Sequence, residues 1–328
     1  MLKLALIGAG NWGKKYLTTV KSFKDCRIKY LCVKSSDTLK SIKGEYVKTT
    51  NYKDLFKYSD IDGIIIATPN STHFKIAYEF LKRGYNLLIE KPMLESYSES
   101  LRLKSIQKIT KARVIVGHTY LFDPAYIKMK KMITSIGKIR YVSYDGMNNG
   151  PYREGTSAIW DIGPHAISLC LDISQKKPVQ VSTWALDTLT PKKGYYDFCF
   201  IKLKFSDQTN AYIRISWLFP VKKRELVVVG TKDAIIYDAA GDKKLTYLEN
   251  MIDMSKKTRK IKNSMKIFYP QYDPATPLEI ELREFMDVIK YNKGITQSDL
   301  DFGIKVTKII ELAIRSIKHG GLPVDIIN

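Results

Sequence analysis

Leu2-Lys3-Leu4-Ala5-Leu6-Ile7-Gly8-Ala9-Gly10-Asn11-Trp12-Gly13, followed by a helical stretch from Lys14 to Phe23, decides how the chain folds. An apolar run of strand length meets three glycines spaced G-x-G-x-x-G, and a helix opens directly after them. In a strand–turn–helix unit the first glycine allows a tight turn and the second lets backbone approach a pyrophosphate. The third lets the helix pack close to the strand. A diphosphate then rests on free N–H groups at the positive end of the helix dipole. Gly8, Gly10, Asn11, Trp12 and Gly13 are therefore candidate dinucleotide ligands.

The stretches that follow keep alternating strand and helix. Arg27–Val33 reads as a second strand, and its end falls where an NAD-specific fold places an acidic residue on the ribose 2′-hydroxyl. Here Val33-Lys34-Ser35-Ser36 stands instead. A cation with hydroxyls suits a 2′-phosphate, so Lys34 and Ser35 point to NADP in preference to NAD; the alternative is a solvated loop lysine and plain NAD. A short strand near Glu45–Val47, a helical stretch near Tyr52–Lys57 and the buried-type strand at Gly63–Thr68 come next. Thr68, Pro69, Asn70 and His73 then lie at a strand's carboxyl end, where open parallel sheets bind ligands. His73 reads as a surface histidine of a helix's first turn that continues to Arg83, rather than as an acid or base. The strand Asn86–Ile89 runs into Glu90-Lys91-Pro92, which puts Glu90 and Lys91 at the same edge. A helix at Ser96–Lys108 and a strand at Ala112–Gly117 complete a doubly wound α/β sheet.

From Ile139 onward strands follow one another: Ile139–Tyr144, Val179–Asp187, Asp197–Phe205, Asn210–Trp217, Glu225–Gly230, Ala234–Tyr237 and Lys244–Leu248. Apolar and polar residues alternate in several, the mark of half-buried antiparallel strands in a separate α+β domain. One segment interrupts them. The polar loop Asn148–Gly155 leads into an apolar helix that reaches about Ile173. Pro164 is tolerated only in a first helical turn, which puts Asp161 at or just before the helix start and His165 within its first turns. If Asp161 is already helical, the i, i+4 spacing stacks the two side chains on one face. Thr276-Pro277-Leu278-Glu279 opens a helix to about Tyr291, and a helix at Ser298–His319 precedes a short tail from Leu322.

Gly8–Gly13, the A-T-P-N-S-T-H run at 67–73, the E-K-P run at 90–92 and Gly117–Pro124 resemble, in order and spacing, the Gfo/Idh/MocA oxidoreductase family across essentially the whole chain. The resemblance implies a nicotinamide-binding Rossmann domain (residues 1–122) and a second domain (residues 123–328) with an open, mainly antiparallel sheet that carries the substrate. It implies a last helix packing back toward the first domain, and a homodimer or homotetramer through the second-domain sheet. Asp161 and His165 resemble the family's D-x-x-x-H motif. Oxidation of an alcohol needs a base for the hydroxyl proton as hydride leaves carbon, and histidine titrates near working pH. His165 is thus the candidate acid/base, with Asp161 its partner or a substrate ligand. The Lys91 ammonium would stabilise developing alkoxide charge. Tyr120, Asn149 and Arg153 are further candidate substrate contacts; Arg153 reads equally as a solvated loop arginine.

The bulk figures bound this reading. A chain of 328 residues suggests two domains of about 150 residues. Its apolar N-terminal residues belong to the first strand rather than to a leader, and no apolar run reaches bilayer length, so a cytoplasmic protein without a membrane partner is expected. Cys26, Cys32, Cys170 and Cys199 show no metal-ligand spacing, and neither a metal nor a disulfide framework is expected. The net charge of +21 is spread along the chain among acids. Compositional bias explains it ahead of nucleic-acid binding, and attraction of anionic small molecules fits it. The leading expectation is an NAD(P)-dependent oxidoreductase of a sugar, cyclitol or sugar nucleotide. Redox-assisted glycoside hydrolysis or elimination with tightly held NAD is one alternative. A non-catalytic dinucleotide-sensing or nucleic-acid-binding protein is the other.

Overall fold

In the computed structural model, which describes residues 1–152, 155–189, 194–249, 266–295 and 297–327, the opening apolar run is strand β1 (Leu2–Ile7) and the helix after the glycines is α1 (Asn11–Thr19). The helix gives way to a 3-10 turn at Val20–Ser22, short of the expected Phe23. Then follow β2 (Cys26–Cys32), α2 (Ser36–Ser41), β3 (Val47–Thr49), β4 (Gly63–Ile66), α3 (His73–Leu81), β5 (Leu87–Glu90), α4 (Tyr97–Thr110) and β6 (Val114–Gly117). Tyr52–Lys57 is a 3-10 helix capped by Asn51. The six strands pair in parallel in the order β3-β2-β1-β4-β5-β6, the doubly wound order whose reversal lies between β1 and β4. Ile64, Ile65 and Ile66 are fully buried, as a strand covered on both faces requires.

The later part of the chain forms α5 (Pro124–Met132), β7 (Ile139–Asn149), α6 (Ala158–Asp161), α7 (Gly163–Ser174), β8 (Pro178–Leu186), β9 (Phe198–Phe205), β10 (Asn210–Ser216), β11 (Leu218–Gly230), β12 (Ala234–Asp238), β13 (Leu245–Glu249), β14 (Lys266–Phe268), α8 (Pro277–Tyr291), α9 (Leu300–Lys318) and β15 (Val324–Asp325). Nine of these strands join in the order β14-β13-β12-β11-β7-β10-β9-β8-β15; β10 runs parallel to β7 and the other pairs are antiparallel. On β9 the alternation is complete: Cys199, Ile201, Leu203 and Phe205 are buried, while Phe198, Phe200, Lys202 and Lys204 are half-buried on the opposite face. The sheet packs on α6 through β9 and on α7 through β7 and β10; the residues of α7 are buried throughout except Asp172.

By compactness the chain divides into Met1–Thr119 with Thr276–Lys308, and Tyr120–Ala275 with Ile309–Asn328. Helix α8 and the first half of α9 thus belong with the parallel sheet. A Cβ on Gly63 of β4 would strike Ile289 and Phe285, and one on Gly303 would strike Val116 and Met93. The start of α8 carries a capping box: Thr276 Oγ1 accepts from the Glu279 N–H, and the Glu279 carboxylate accepts from the Thr276 N–H at 2.8 Å.

Further features can be set against the sequence reading. Strands β7 and β11 run several residues beyond their apolar cores, to Asn149 and from Leu218. The tail expected after Leu322 supplies β15, which pairs with β8 at the sheet edge. Asp161, expected at or just before the start of the helix that carries His165, ends the one-turn α6 just ahead of α7.

Candidate active site

The glycine turn is built as its spacing demands. Gly8 has φ +98°, and a Cβ there would lie 2.3 Å from Ala67 O, so the turn is closed to any side chain. A Cβ at Gly13 would lie 2.1 Å from Gly8 O, which holds α1 tightly against the end of β1. Gly10 is different: nothing lies within 4 Å of a Cβ position, and it is the N-cap of α1. That helix has no side-chain cap and no acidic residue in its first turn. The first-turn N–H groups of α1, at exposed Asn11, half-buried Trp12 and buried Gly13, thus have no side-chain cap, which fits a dinucleotide diphosphate.

At the end of β2, Lys34 is exposed, and Ser35 caps α2 by accepting the Thr38 N–H at 3.2 Å. The loop after β4 carries Thr68, Pro69 and Asn70; Thr72 hydrogen-bonds Thr68 through their hydroxyls at 2.7 Å, and Asn70 donates to Glu95. His73 is not the surface residue expected. It is 1% exposed, with Nε2 2.9 Å from Thr68 O and Nδ1 3.0 Å from Pro92 O. Its ring ties the loop after β4 to the loop after β5. Burial holds its pKa below the ordinary value, against the pull of the three carbonyls around it.

Glu90 ends β5 with its carboxyl buried. Oε1 lies 2.7 Å from Tyr16 Oη, and Oε2 accepts the Lys91 backbone N–H at 3.1 Å. A Cβ on Gly117, its register partner on β6, would lie 3.2 Å from that carboxyl, so glycine leaves it room. Tyr16 Oη is also 2.8 Å from Oε1 of Glu281, a fully buried carboxyl on α8. Lys91 itself is half-buried at the strand's carboxyl end. His118 is buried against Ser298 Oγ at 2.8 Å, and burial together with the Lys91 charge pushes its pKa down to about 3. Sequence reasoning passed over Tyr16, Glu281 and His118. Glu281 did leave a signal: it sits among Leu278, Leu282 and Phe285 at the spacing of a buried helix face.

In the other unit, Asp161 closes the single-turn α6, and its Oδ2 accepts from Trp217 Nε1 at 3.2 Å. Ile162 interrupts the helix, and α7 restarts at Gly163 with Pro164 in its first turn, where a missing N–H costs nothing. Asp161 and His165 therefore flank a helix junction instead of stacking along one helix, because Pro164 cannot continue α6. The His165 ring is 8% exposed and lies 4.5 Å, centroid to centroid, from the Tyr120 ring. Tyr120 is held above its ordinary pKa by burial, with the Arg224 guanidinium opposing. Arg224, which sequence reasoning did not single out, donates to Met147 O at 3.0 Å and to Asn148 Oδ1 at 2.5 Å. Asn149 is exposed at the end of β7, and Arg153 lies outside the described residues. All four cysteines are buried free thiols, and no metal-binding cluster occurs among the described residues.

A doubly wound sheet with an open glycine turn, joined on one chain to a helix-backed antiparallel sheet, defines a nicotinamide-type oxidoreductase architecture. The chain belongs to the Gfo/Idh/MocA family: residues 2–118 match its NAD-binding Rossmann domain, described as an oxidoreductase family, and residues 126–236 match its C-terminal domain. Among curated proteins, it is 26% identical over 224 residues to an inositol 2-dehydrogenase of Rhizobium meliloti (strain 1021), covering 65% of this chain and 68% of that one. Other curated relatives are matched over about half their length. Among solved structures, an oxidoreductase described as putative from Magnetospirillum magnetotacticum MS-1 superposes with a TM-score of 0.82 at 28% identity, over 94% of this chain and 98% of that one. An aldose-aldose oxidoreductase from Caulobacter crescentus complexed with glycerol shares the fold, with a TM-score of 0.84 at 18% identity over 99% of each chain.

Proposed function

We propose that this protein is an NAD(P)-dependent dehydrogenase or reductase that moves a hydride between nicotinamide and a hydroxyl or keto carbon of a sugar, cyclitol or sugar nucleotide. The observation that carries the reading is the pairing, on one chain, of an uncapped α1 behind the glycine turn with Lys91 at a strand end and His165 at a helix junction. Gly8, Gly10, Asn11, Trp12 and Gly13 hold the diphosphate; Thr68, Pro69, Asn70 and Glu90 line the same carboxyl edge, with His73 fixing the loops behind it. The bound nicotinamide supplies a hydride acceptor. His165 takes the proton of the substrate hydroxyl, and Tyr120 packed on its ring limits how it turns. Asp161, oriented by Trp217, orders the substrate hydroxyls or the imidazole. Lys91 holds its charge against the oxygen where negative charge develops. Asn149 and Arg153 are proposed as outer substrate contacts. The exposed face of the nine-stranded sheet, with Trp184 half exposed beside Phe200 and Tyr212, is the proposed homo-oligomer surface; sedimentation as a monomer would remove that assignment.

The experiment is a panel of polyols, inositols and sugar nucleotides read at the absorbance of reduced nicotinamide. Net, substrate-dependent reduction supports the proposal. Bound NAD with bond cleavage and no net reduction would favour redox-assisted elimination instead. For the cofactor, exposed Lys34 argues for the 2′-phosphate of NADP, since no carboxylate stands where the ribose hydroxyl is read. Lys34→Asp should move the ratio of kcat/KM for NADP over NAD toward NAD by about tenfold or more, the size of one lost charge-assisted contact. An unchanged ratio removes Lys34 from cofactor selection.

A further inference from the structure

Tyr16 has one hydroxyl proton, yet its oxygen lies within hydrogen-bond distance of two carboxyls, Glu90 at 2.7 Å and Glu281 at 2.8 Å. The phenol can donate to only one of them, so the other must donate to the phenol and must carry a proton. Two details say which. Both oxygens of Glu90 already have donors, the Tyr16 hydroxyl and the Lys91 N–H. Glu281 meets Tyr16 through Oε1, while its buried Oε2 makes no hydrogen bond of good geometry, the Thr119 hydroxyl being the other group that acts on the carboxyl. An ionised carboxylate with a dry, unbonded oxygen is costly, whereas the carbonyl oxygen of a neutral acid tolerates it far better.

We propose that Glu281 is a positioning residue for Lys91: a neutral acid that donates to Tyr16, so that Tyr16 donates to Glu90 and the carboxylate charge stays on Glu90 against the Lys91 backbone. This rests on the reading of Lys91 as a catalytic group. The device joins α1 behind the glycine turn, the strand end that carries Lys91, and α8 at one buried point. The groups facing Glu281 are Tyr16 from α1, Glu90 from β5, Thr119 after β6 and Glu284 on its own helix. Lys15 and Lys91 act on Glu90. Burial first, and the Glu90 charge second, drive the Glu281 pKa well up, in agreement with the hydrogen-bond count.

The test uses the whole protein. Infrared difference spectra at neutral pH should show the carbonyl stretch of a buried protonated carboxylic acid in the native protein, and Glu281→Gln should remove it. Absence of that band from the native protein overturns the proposal, whether or not any substrate has been found. Stability gives a second reading that needs no turnover. A folded-state pKa raised above the unfolded one contributes stability below the unfolded pKa, and that contribution is lost as pH rises. The Tm of Glu281→Gln minus that of the native protein should therefore rise between pH ~5 and ~8; a difference that stays flat or falls overturns the proposal. In activity, the Gln amide still donates to Tyr16 and should keep kcat and its pH profile. Glu281→Ala frees Tyr16 to turn and should lower kcat about tenfold or more, the scale of a misplaced catalytic group. A Gln variant as impaired as the Ala variant overturns the positioning role.

Discussion

His165→Ala should lower turnover by about 10²–10⁴-fold, the usual contribution of a positioned acid/base, while affinity for the dinucleotide changes by less than about twofold. The argument is local. His165 lies in the first turn of α7, a helix of the second unit buried throughout except at Asp172, and its ring leans on Tyr120. Nothing in the proposed dinucleotide cradle, from Gly8 to Gly13, belongs to that unit. Loss of the imidazole therefore removes the proton acceptor without touching the diphosphate contacts. Stopped-flow turnover beside a cofactor titration by fluorescence separates the two quantities. Equal turnover in the variant would take His165 out of the mechanism, and an equal loss in both would make it structural.

Lys91→Ala carries the second large effect. An ammonium aimed at developing alkoxide charge is worth about 10²–10³-fold in kcat, by analogy with a single oxyanion donor. Lys91 is half-buried, and the bond from its backbone N–H to Glu90 is kept when the side chain is truncated. Lys91→Arg should not restore the rate, because a planar guanidinium cannot place one compact charge where the ammonium stood. Recovery of more than about a tenth of native kcat/KM in the Arg variant would argue that Lys91 supplies only general positive potential.

How much of this is legible in the chain divides along a physical line. The parallel sheet is legible because its strands are buried on both faces and separated by helices, so apolar runs such as Ile64–Ile66 stand out alone. The antiparallel sheet is legible in its alternating cores, as in β9, yet the polar extensions of β7 and β11 are not. They exist because each finds the other as a partner, a pairing no local pattern records. Strand β15 is two residues long and is strand only because β8 offers an edge. Lys91, Asp161 and His165 can be singled out from motif spacing. The side chains behind them cannot: Trp217 is 56 residues from Asp161, and Glu281 is 265 from Tyr16. His73 shows the same limit, since a first-turn histidine looks solvated until three backbone carbonyls from two loops close around it.

The central claim is hydride transfer, and isotope transfer tests it most directly. A polyol or sugar nucleotide that turns over, labelled with deuterium at its carbinol carbon, should yield reduced nicotinamide one mass unit heavier, formed about 10²–10⁴-fold more slowly in His165→Ala. Reduced nicotinamide free of label, or product formed with the label still on its carbon, would contradict the account.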